Sequence, residues 1–277
     1  SEAKRDKQFT DYVAAFRTIE QSAFEPPAHL GAIMRPYQVE GFRWLAALCE
    51  LGFGGVLADE MGLGKSLQTI ALLAARRDEA RKVGPSLIVC PASLVYNWLA
   101  EFQTFAPELR VRAIVGTKRE RAALRAEGEV DVLVTSYDIA RLDVNGFSER
   151  RYYCHVLDEA QYIKNHATLT TRAVKRIPSL HRFALTGTPM ENRLSEIWSI
   201  FDFLMPGFLG SYARFRARFE LGIVGGDEEL AARLRSLVGP FILRRLKRDV
   251  LPELPDKMET VVRVPLAGEQ RKLYRAH

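Results

Sequence analysis

The run Asp59-Glu60-Met61-Gly62-Leu63-Gly64-Lys65-Ser66 carries the strongest chemical signal in the chain. It follows the apolar stretch Gly55 to Ala58 and precedes a helical pattern through Ile70 and Leu73. A strand, a glycine-bearing loop and a helix N-terminus gather backbone N–H groups and the positive end of the helix dipole around a phosphate. In such a loop Lys65 would reach the outer phosphates and the Ser66 hydroxyl would bind Mg²⁺. The usual phosphate-loop pattern starts with glycine, where this chain has Asp59. A second block supports the reading. Val156-Leu157-Asp158-Glu159-Ala160-Gln161 sets two carboxylates at the end of another apolar stretch, about ninety residues downstream, where a nucleoside triphosphatase keeps its metal-orienting acid. Asp158 would hold the metal and Glu159 would polarise the attacking water. A chance Gly-Lys-Ser before a helix leaves the acidic pair unexplained, so loop and pair together point to ATP or GTP chemistry.

The elements that must position these groups alternate. Apolar runs at Gly55 to Ala58, Ser86 to Cys90, Val111 to Val115, Val130 to Thr135, Cys154 to Leu157 and Arg182 to Leu185 read as strands, most of them separated by helical patterns. That is the pattern of a parallel α/β sheet. Arg35-Pro36 opens a helix with Phe42, Leu45, Ala46 and Cys49 on one face. From Leu94, the residues Trp98, Phe102 and Phe105 share another face, a core stripe rather than a base-stacking platform. Beyond Pro189 the pattern becomes helical, with Ser195 as a candidate cap and Tyr212, Phe215 and Phe219 favouring helix over strand. Phe9, Tyr12, Val13 and Phe16 predict an extra N-terminal helix within residues 1–30, broken at Pro26-Pro27, and Thr260 to Leu266 a late strand.

Composition narrows the class. The chain has 277 residues, 47% hydrophobic and 27% charged, which excludes disorder and suffices for a sizeable core. Its 40 basic and 34 acidic side chains leave +6, an excess that a polyanionic partner and Arg-rich coding bias explain equally well. No run of eighteen apolar residues occurs and residues 1 to 20 are polar, so no membrane partner and an intracellular location are expected, cytoplasmic if bacterial and nuclear if eukaryotic. Cys49, Cys90 and Cys154 lie far apart with no C-x-x-C partner and read as small buried hydrophobes. The histidines lack metal spacing, and His155 reads as a satisfied structural residue. Arg119, Arg121 and Arg125 read as solvated, and Arg244, Arg245, Lys247 and Arg248 as a basic strip with a modest electrostatic role.

Six blocks in order carry a family resemblance. They are Met34-Arg35-Pro36-Tyr37-Gln38 with Gly41; the phosphate loop with its Asp59; Cys90-Pro91 before Asn97-Trp98; Asp158-Glu159-Ala160-Gln161 with Lys164-Asn165; Leu185-Thr186-Gly187-Thr188-Pro189 with Glu191-Asn192; and Pro240-Phe241-Ile242-Leu243-Arg244-Arg245. From about residue 33 to the end the chain resembles the Swi/Snf family of helicase-like ATPases in superfamily two, in which aspartate at the first loop position is usual.

The resemblance implies a three-layer RecA-like α/β lobe over 31–258 with a central, mainly parallel sheet, a helical insertion at about 190–250, and a connector over 259–277. It implies ATP and Mg²⁺ as cofactors, with Arg35, Gln38, Asp59, Glu60, Met61, Gly62, Leu63, Gly64, Lys65 and Ser66 at the nucleotide, Gln38 reading the adenine, and Ser66 and Asp158 at the metal. Lys65 and Glu159 would be catalytic. Gln161, Thr186, Gly187 and Thr188 would couple hydrolysis to movement, and Pro91, Ser93, Asn97, Thr135, Ser136 and Tyr137 would hold duplex DNA by its backbone. The partners implied are duplex DNA, a protein bound to it as remodelling substrate, and a second RecA-like lobe whose Gln-x-x-x-Arg-x-x-Arg block does not occur in these residues. An RNA helicase lobe of the same superfamily and a nucleic-acid-binding scaffold without turnover are the rival readings. Against the first stands Asp158-Glu159-Ala160-Gln161 in place of an Asp-Glu-Ala-Asp box.

Overall fold

Among the described residues seven strands pair side by side, every pairing parallel, in the order β3-β4-β2-β5-β6-β1-β7. The computed structural model describes residues 24–188 and 194–250. The strands are β1 (Gly55–Leu57), β2 (Ser86–Cys90), β3 (Val111–Ile114), β4 (Val132–Ser136), β5 (Tyr152–Leu157), β6 (Ser179–Leu185) and β7 (Ile242–Leu243). Six of them were expected, with ends that match to within three residues. The longer helices are α1 (Pro36–Glu50), α2 (Lys65–Ala75), α3 (Val95–Phe105), α4 (Lys118–Ala126), α5 (Leu169–Arg176), α6 (Leu194–Leu204) and α7 (Glu228–Val238). The expected N-terminal helix at Phe9 to Phe16, the block Pro189 with Glu191-Asn192, and the connector over 259–277 lie outside the described residues.

Strands β2, β4 and β5 are buried along their whole length, which explains their unbroken apolar character. The chain steps from β1 to β2 to β3 in one direction along the sheet and from β4 to β5 to β6 in the other. Right-handed crossovers therefore put α2 and α3 on one face and α5 on the other, giving three layers. Pro36 at the first position of α1 and the Thr117 capping box of α4 fix two helix starts chemically. Trp98 and Phe102 face the core as expected, while Phe105 is half-buried. A second unit begins at Lys247, where Lys247–Val250 is a short helical turn.

Several expectations are corrected. The helical insertion does not run to residue 250: after α7, Ile242–Leu243 returns to the sheet as β7, pairing Val56 with Ile242 and Leu57 with Leu243. Ser195 lies inside the first turn of α6 rather than capping it. The stretch from Tyr212 is helical as favoured, capped by Ser211, and passes through a π-helical turn at Arg216–Glu220 with Phe215 and Phe219 buried. Arg121 and Arg125 are not solvated: both grip the buried Asp143, Arg121 in a two-pronged pair at 2.7 and 2.8 Å. Arg119 is exposed as read. His155 is buried but unsatisfied, with neither ring nitrogen hydrogen-bonded and its edge against Phe203, and burial holds its pKa far down.

Candidate nucleotide-binding site

At the carboxyl ends of β1 and β5, Met61, Gly62, Gly64, Lys65 and Ser66 meet Asp158 and Glu159 around a cavity of about 680 Å³. Open parallel sheets bind ligands at this edge. Lys65 opens α2, so the helix N-terminus points at the cavity. The turn into it needs Gly64, whose φ is +75° and where a Cβ would sit 2.4 Å from the Gln38 amide nitrogen. Lys65 Nζ donates to the Asp59 carbonyl at 2.8 Å, which curls the side chain back over the loop.

Asp59 does not face the cavity. Its carboxylate is fully buried and bound by Arg245, with Nε donating to Oδ1 at 2.9 Å and Nη2 to Oδ2 at 2.5 Å. Gln68 of α2 donates to the same Oδ2 and accepts from Arg245 Nη2. The guanidinium also stacks over Tyr37 and donates to the Tyr37 carbonyl. Gly41 leaves room for this cluster, since a Cβ there would overlap the Gln68 side chain and crowd Arg245. Backbone bonds extend the link, Ala58 N–H to Leu243 O at 2.7 Å and Glu60 N–H to Arg245 O at 3.0 Å. Arg245 thus does more than the modest electrostatic role expected of the strip Arg244, Arg245, Lys247 and Arg248. It anchors the phosphate loop, whereas its neighbour Arg244 is exposed.

The acidic pair is held as closely. The Trp98 indole N–H donates to Asp158 Oδ2 at 2.9 Å, the Glu159 amide to Oδ1, and the Tyr137 hydroxyl to the Asp158 carbonyl at 2.7 Å. Burial pushes the Asp158 pKa up, and the Trp98 bond offsets only part of the shift. Glu159 is the one non-glycine at positive φ among the described residues, at 51°. Its carboxylate accepts from Gln161 Nε2 at 2.7 Å. Gln161 Oε1 in turn accepts from the Thr186 hydroxyl at 3.1 Å, which lies 3.0 Å from that of Thr188. Gln161, Thr186 and Thr188, which the resemblance groups together as coupling residues, form one hydrogen-bonded chain starting at Glu159. Gly187 lies beside it, with Lys65 Nζ and Met61 the nearest groups to a Cβ there.

Other expected site residues are placed differently. Gln38 is buried with its amide engaged, Oε1 by the Arg35 backbone N–H and Nε2 by the Leu63 carbonyl at 3.2 Å. It touches the loop and does not line the cavity; Arg35 is exposed at the cap of α1. Leu63 is core, Met61 is exposed, and Glu60 is half-buried. Ser93 and Asn97 are exposed and Pro91 half-exposed at the carboxyl edge. Thr135 is fully buried with its hydroxyl spent on Ile114 O, and Ser136 is buried and caps the turn Tyr137–Leu142. Tyr137 is buried and stacked on Tyr162. All three are buried, and their hydroxyls serve the fold and the Asp158 backbone. Sequence reasoning missed Gln68, Glu101 and Arg245, and gave Trp98 only a packing role. Glu101 of α3 reaches the Ser66 hydroxyl, and burial raises its pKa.

The donor set suits a magnesium nucleotide. Ser66 and Asp158 present hard oxygen atoms on one wall that could hold Mg²⁺, and Lys65 is a cation beside them. Residues 37–277 match the SNF2-related domain. The putative ATP-dependent helicase/translocase YwqA of Bacillus subtilis is 45% identical over 247 residues, covering 87% of this chain and 27% of that protein. The TATA-binding protein-associated factor MOT1 of Saccharomyces cerevisiae is 41% identical, covering 91% of this chain and 15% of that protein. A solved SWI2/SNF2 ATPase core from Sulfolobus solfataricus in complex with dsDNA superposes with a TM-score of 0.77 at 42% identity, over 92% of this chain and 53% of that one. The chain thus spans about a quarter or less of the curated relatives and about half of the solved core. Its ordered blocks, its sheet and these matches place it in one family: the chain belongs to the SNF2-related domain family.

Proposed function

We propose that this lobe is the ATP-binding half of a DNA-stimulated ATPase that translocates on duplex DNA and remodels protein–DNA complexes. The observation that carries the reading is the meeting of Lys65, Ser66, Asp158 and Glu159 on one cavity, with Glu159 wired to Thr186 and Thr188. Lys65 neutralises charge developing on the outer phosphates, which requires it to leave the Asp59 carbonyl. Glu159 accepts the proton of the water that attacks the γ-phosphate, and Gln161 keeps that carboxylate aimed. Mg²⁺, held by Ser66 and by Asp158 directly or through water, would supply further charge neutralisation. A change in the hydrogen bond to Glu159 passes through Gln161 to Thr186 and Thr188, a route from chemistry to the nucleic acid at the same edge. Pro91, Ser93 and Asn97 contact the DNA backbone there.

A second lobe supplies the arginines that complete the transition state. Their loss costs about 10³ to 10⁵ in rate in related enzymes, so these 277 residues alone bind nucleotide weakly and turn it over very slowly. The test is steady-state ATP hydrolysis by the full-length protein and by this chain, with duplex DNA, single-stranded DNA and structured RNA at one salt concentration. Stimulation of the full-length protein by duplex DNA alone is expected. Stimulation by RNA would favour a helicase of the same superfamily, no turnover with any polymer would favour a binding scaffold, and fast turnover by this chain alone would remove the role given to the second lobe.

A further inference from the structure

Arginines grip the three buried aspartates among the described residues. Arg245 holds Asp59, Arg121 and Arg125 hold Asp143, and Arg77, Arg81 and Arg110 converge on Asp131 at 3.1 to 3.5 Å. Those charges are neutralised where they stand. The half-buried Asp158 instead accepts from two neutral donors, the Trp98 indole N–H at Oδ2 and the Glu159 backbone amide at Oδ1, both at 2.9 Å. A neutral donor orients a carboxylate without cancelling the charge that attracts a cation, and each oxygen keeps a lone-pair site open.

The two donors are not equivalent. The Asp158 backbone is pinned on both sides, its N–H donating to Val89 O at 2.8 Å and its carbonyl accepting from the Tyr137 hydroxyl at 2.7 Å. A pinned backbone still leaves the plane of the carboxylate open, because the last torsion of an aspartate is broad. The Glu159 amide belongs to the next peptide and cannot fix that plane from outside. Trp98 lies 60 positions away on α3, which packs against α2, the helix that carries Ser66. Its indole is 2% exposed and lies against Phe102, with ring centroids 6.0 Å apart. An indole N–H donates and never accepts, so it holds one orientation of its partner.

We infer that Trp98 is a positioning residue for the metal: its N–H sets the plane of the Asp158 carboxylate, so that the acid meets the magnesium of a nucleotide held at Ser66. This rests on the reading of Asp158 and Ser66 as the oxygens that hold magnesium. Trp98 does not line the cavity, so it acts through Asp158 alone. Without the N–H the carboxylate keeps only the bond from the adjoining peptide and is free to turn. Partners that orient a metal-holding side chain are worth about ten- to a hundredfold in metal affinity.

The experiment is calorimetric titration of the full-length protein with a non-hydrolysable ATP analogue, once in EDTA and once in saturating magnesium. Trp98→Phe removes the N–H and keeps a buried ring. Its affinity for the metal-free analogue should stay within about twofold of wild type, while its affinity for the magnesium complex falls about ten- to a hundredfold. 3-Benzothienylalanine in place of Trp98 puts sulfur where the N–H was, keeps the shape of the ring, and should give the same split. Equal losses in EDTA and in magnesium would make Trp98 a packing residue and overturn the inference. Wild-type affinity in magnesium for both variants would overturn it as well. Asp158→Asn is the control for the reading beneath: it should lose the same magnesium-dependent affinity. If it binds the magnesium complex as wild type does, the acid is not at the metal, and the role of Trp98 falls with it.

Discussion

Replacing Arg245 by methionine removes the guanidinium that holds Asp59 and keeps much of its volume. The Asp59 carboxylate is fully buried, and Arg245 supplies both strong donors to it, at 2.9 and 2.5 Å. Gln68 contributes one longer bond of 3.2 Å, too little to replace a cation. Removing one partner of a buried ion pair leaves an uncompensated charge, at a cost of about 3–5 kcal/mol. The Arg245→Met variant should lose that much in a urea titration of this chain, followed by tryptophan fluorescence; Trp44, which donates to Pro240 O, is a local reporter. The double variant Asp59→Asn, Arg245→Met buries no charge and should recover about half the loss, a coupling of about 2 kcal/mol in a double-mutant cycle. Glu60 and Lys65 sit on the same loop, so nucleotide affinity should fall with the single variant. A loss below about 1 kcal/mol, or two effects that simply add, would refute the view that Arg245 is what makes a buried Asp59 tolerable.

Glu159→Gln in the full-length protein should retain ATP binding by calorimetry and lose turnover; unchanged hydrolysis would remove Glu159 from the mechanism. At the same position φ is +51°, so Glu159→Gly should be about 1 kcal/mol more stable than Glu159→Ala by thermal unfolding while both are inactive. Arg121, with help from Arg125, holds the pKa of Asp143 down to about 2, and only 3% of that side chain is exposed. A depressed folded pKa stabilises above the unfolded value near 4, so about 1–2 kcal/mol should be lost as pH falls from about 4 to 2. Asp143→Asn should flatten that stretch of an acid-unfolding curve; an unchanged curve would mean the pair is weaker than its geometry. Gln161→Ala should spare ATP binding and reduce the DNA stimulation of hydrolysis, and full stimulation would break the proposed route to Thr186.

What was legible in the sequence follows from locality. A phosphate loop, an acidic pair at a strand end and buried parallel strands are written in runs of five to ten residues, so periodicity and spacing reveal them. β7 is two residues long, too short for any period, and its apolar pair looked like part of a helical insertion. The Asp59–Arg245 pair spans 186 positions, and no local pattern links its ends. Thr135 and Ser136 carry the hydroxyls a DNA contact would need, yet β4 turns them into the sheet and a helix cap. Trp98 shows the limit from the other side. Its spacing on α3 correctly predicts burial, but the same indole also spends its N–H on Asp158, which helical spacing does not encode.

The return of β7 to the edge of β1 has a consequence for the order in which the molecule is made. The phosphate loop emerges early in synthesis, but its Asp59 must wait for Arg245, 186 residues later. At about 5–20 residues per second that interval is about 10–40 s. Until then one edge of β1 is unpaired and a carboxylate bound for the interior has no cation, so the nucleotide pocket closes late and a long-range contact sets its pace. A nascent chain halted before residue 240 would carry every residue of the phosphate loop and still lack the part that holds it in place.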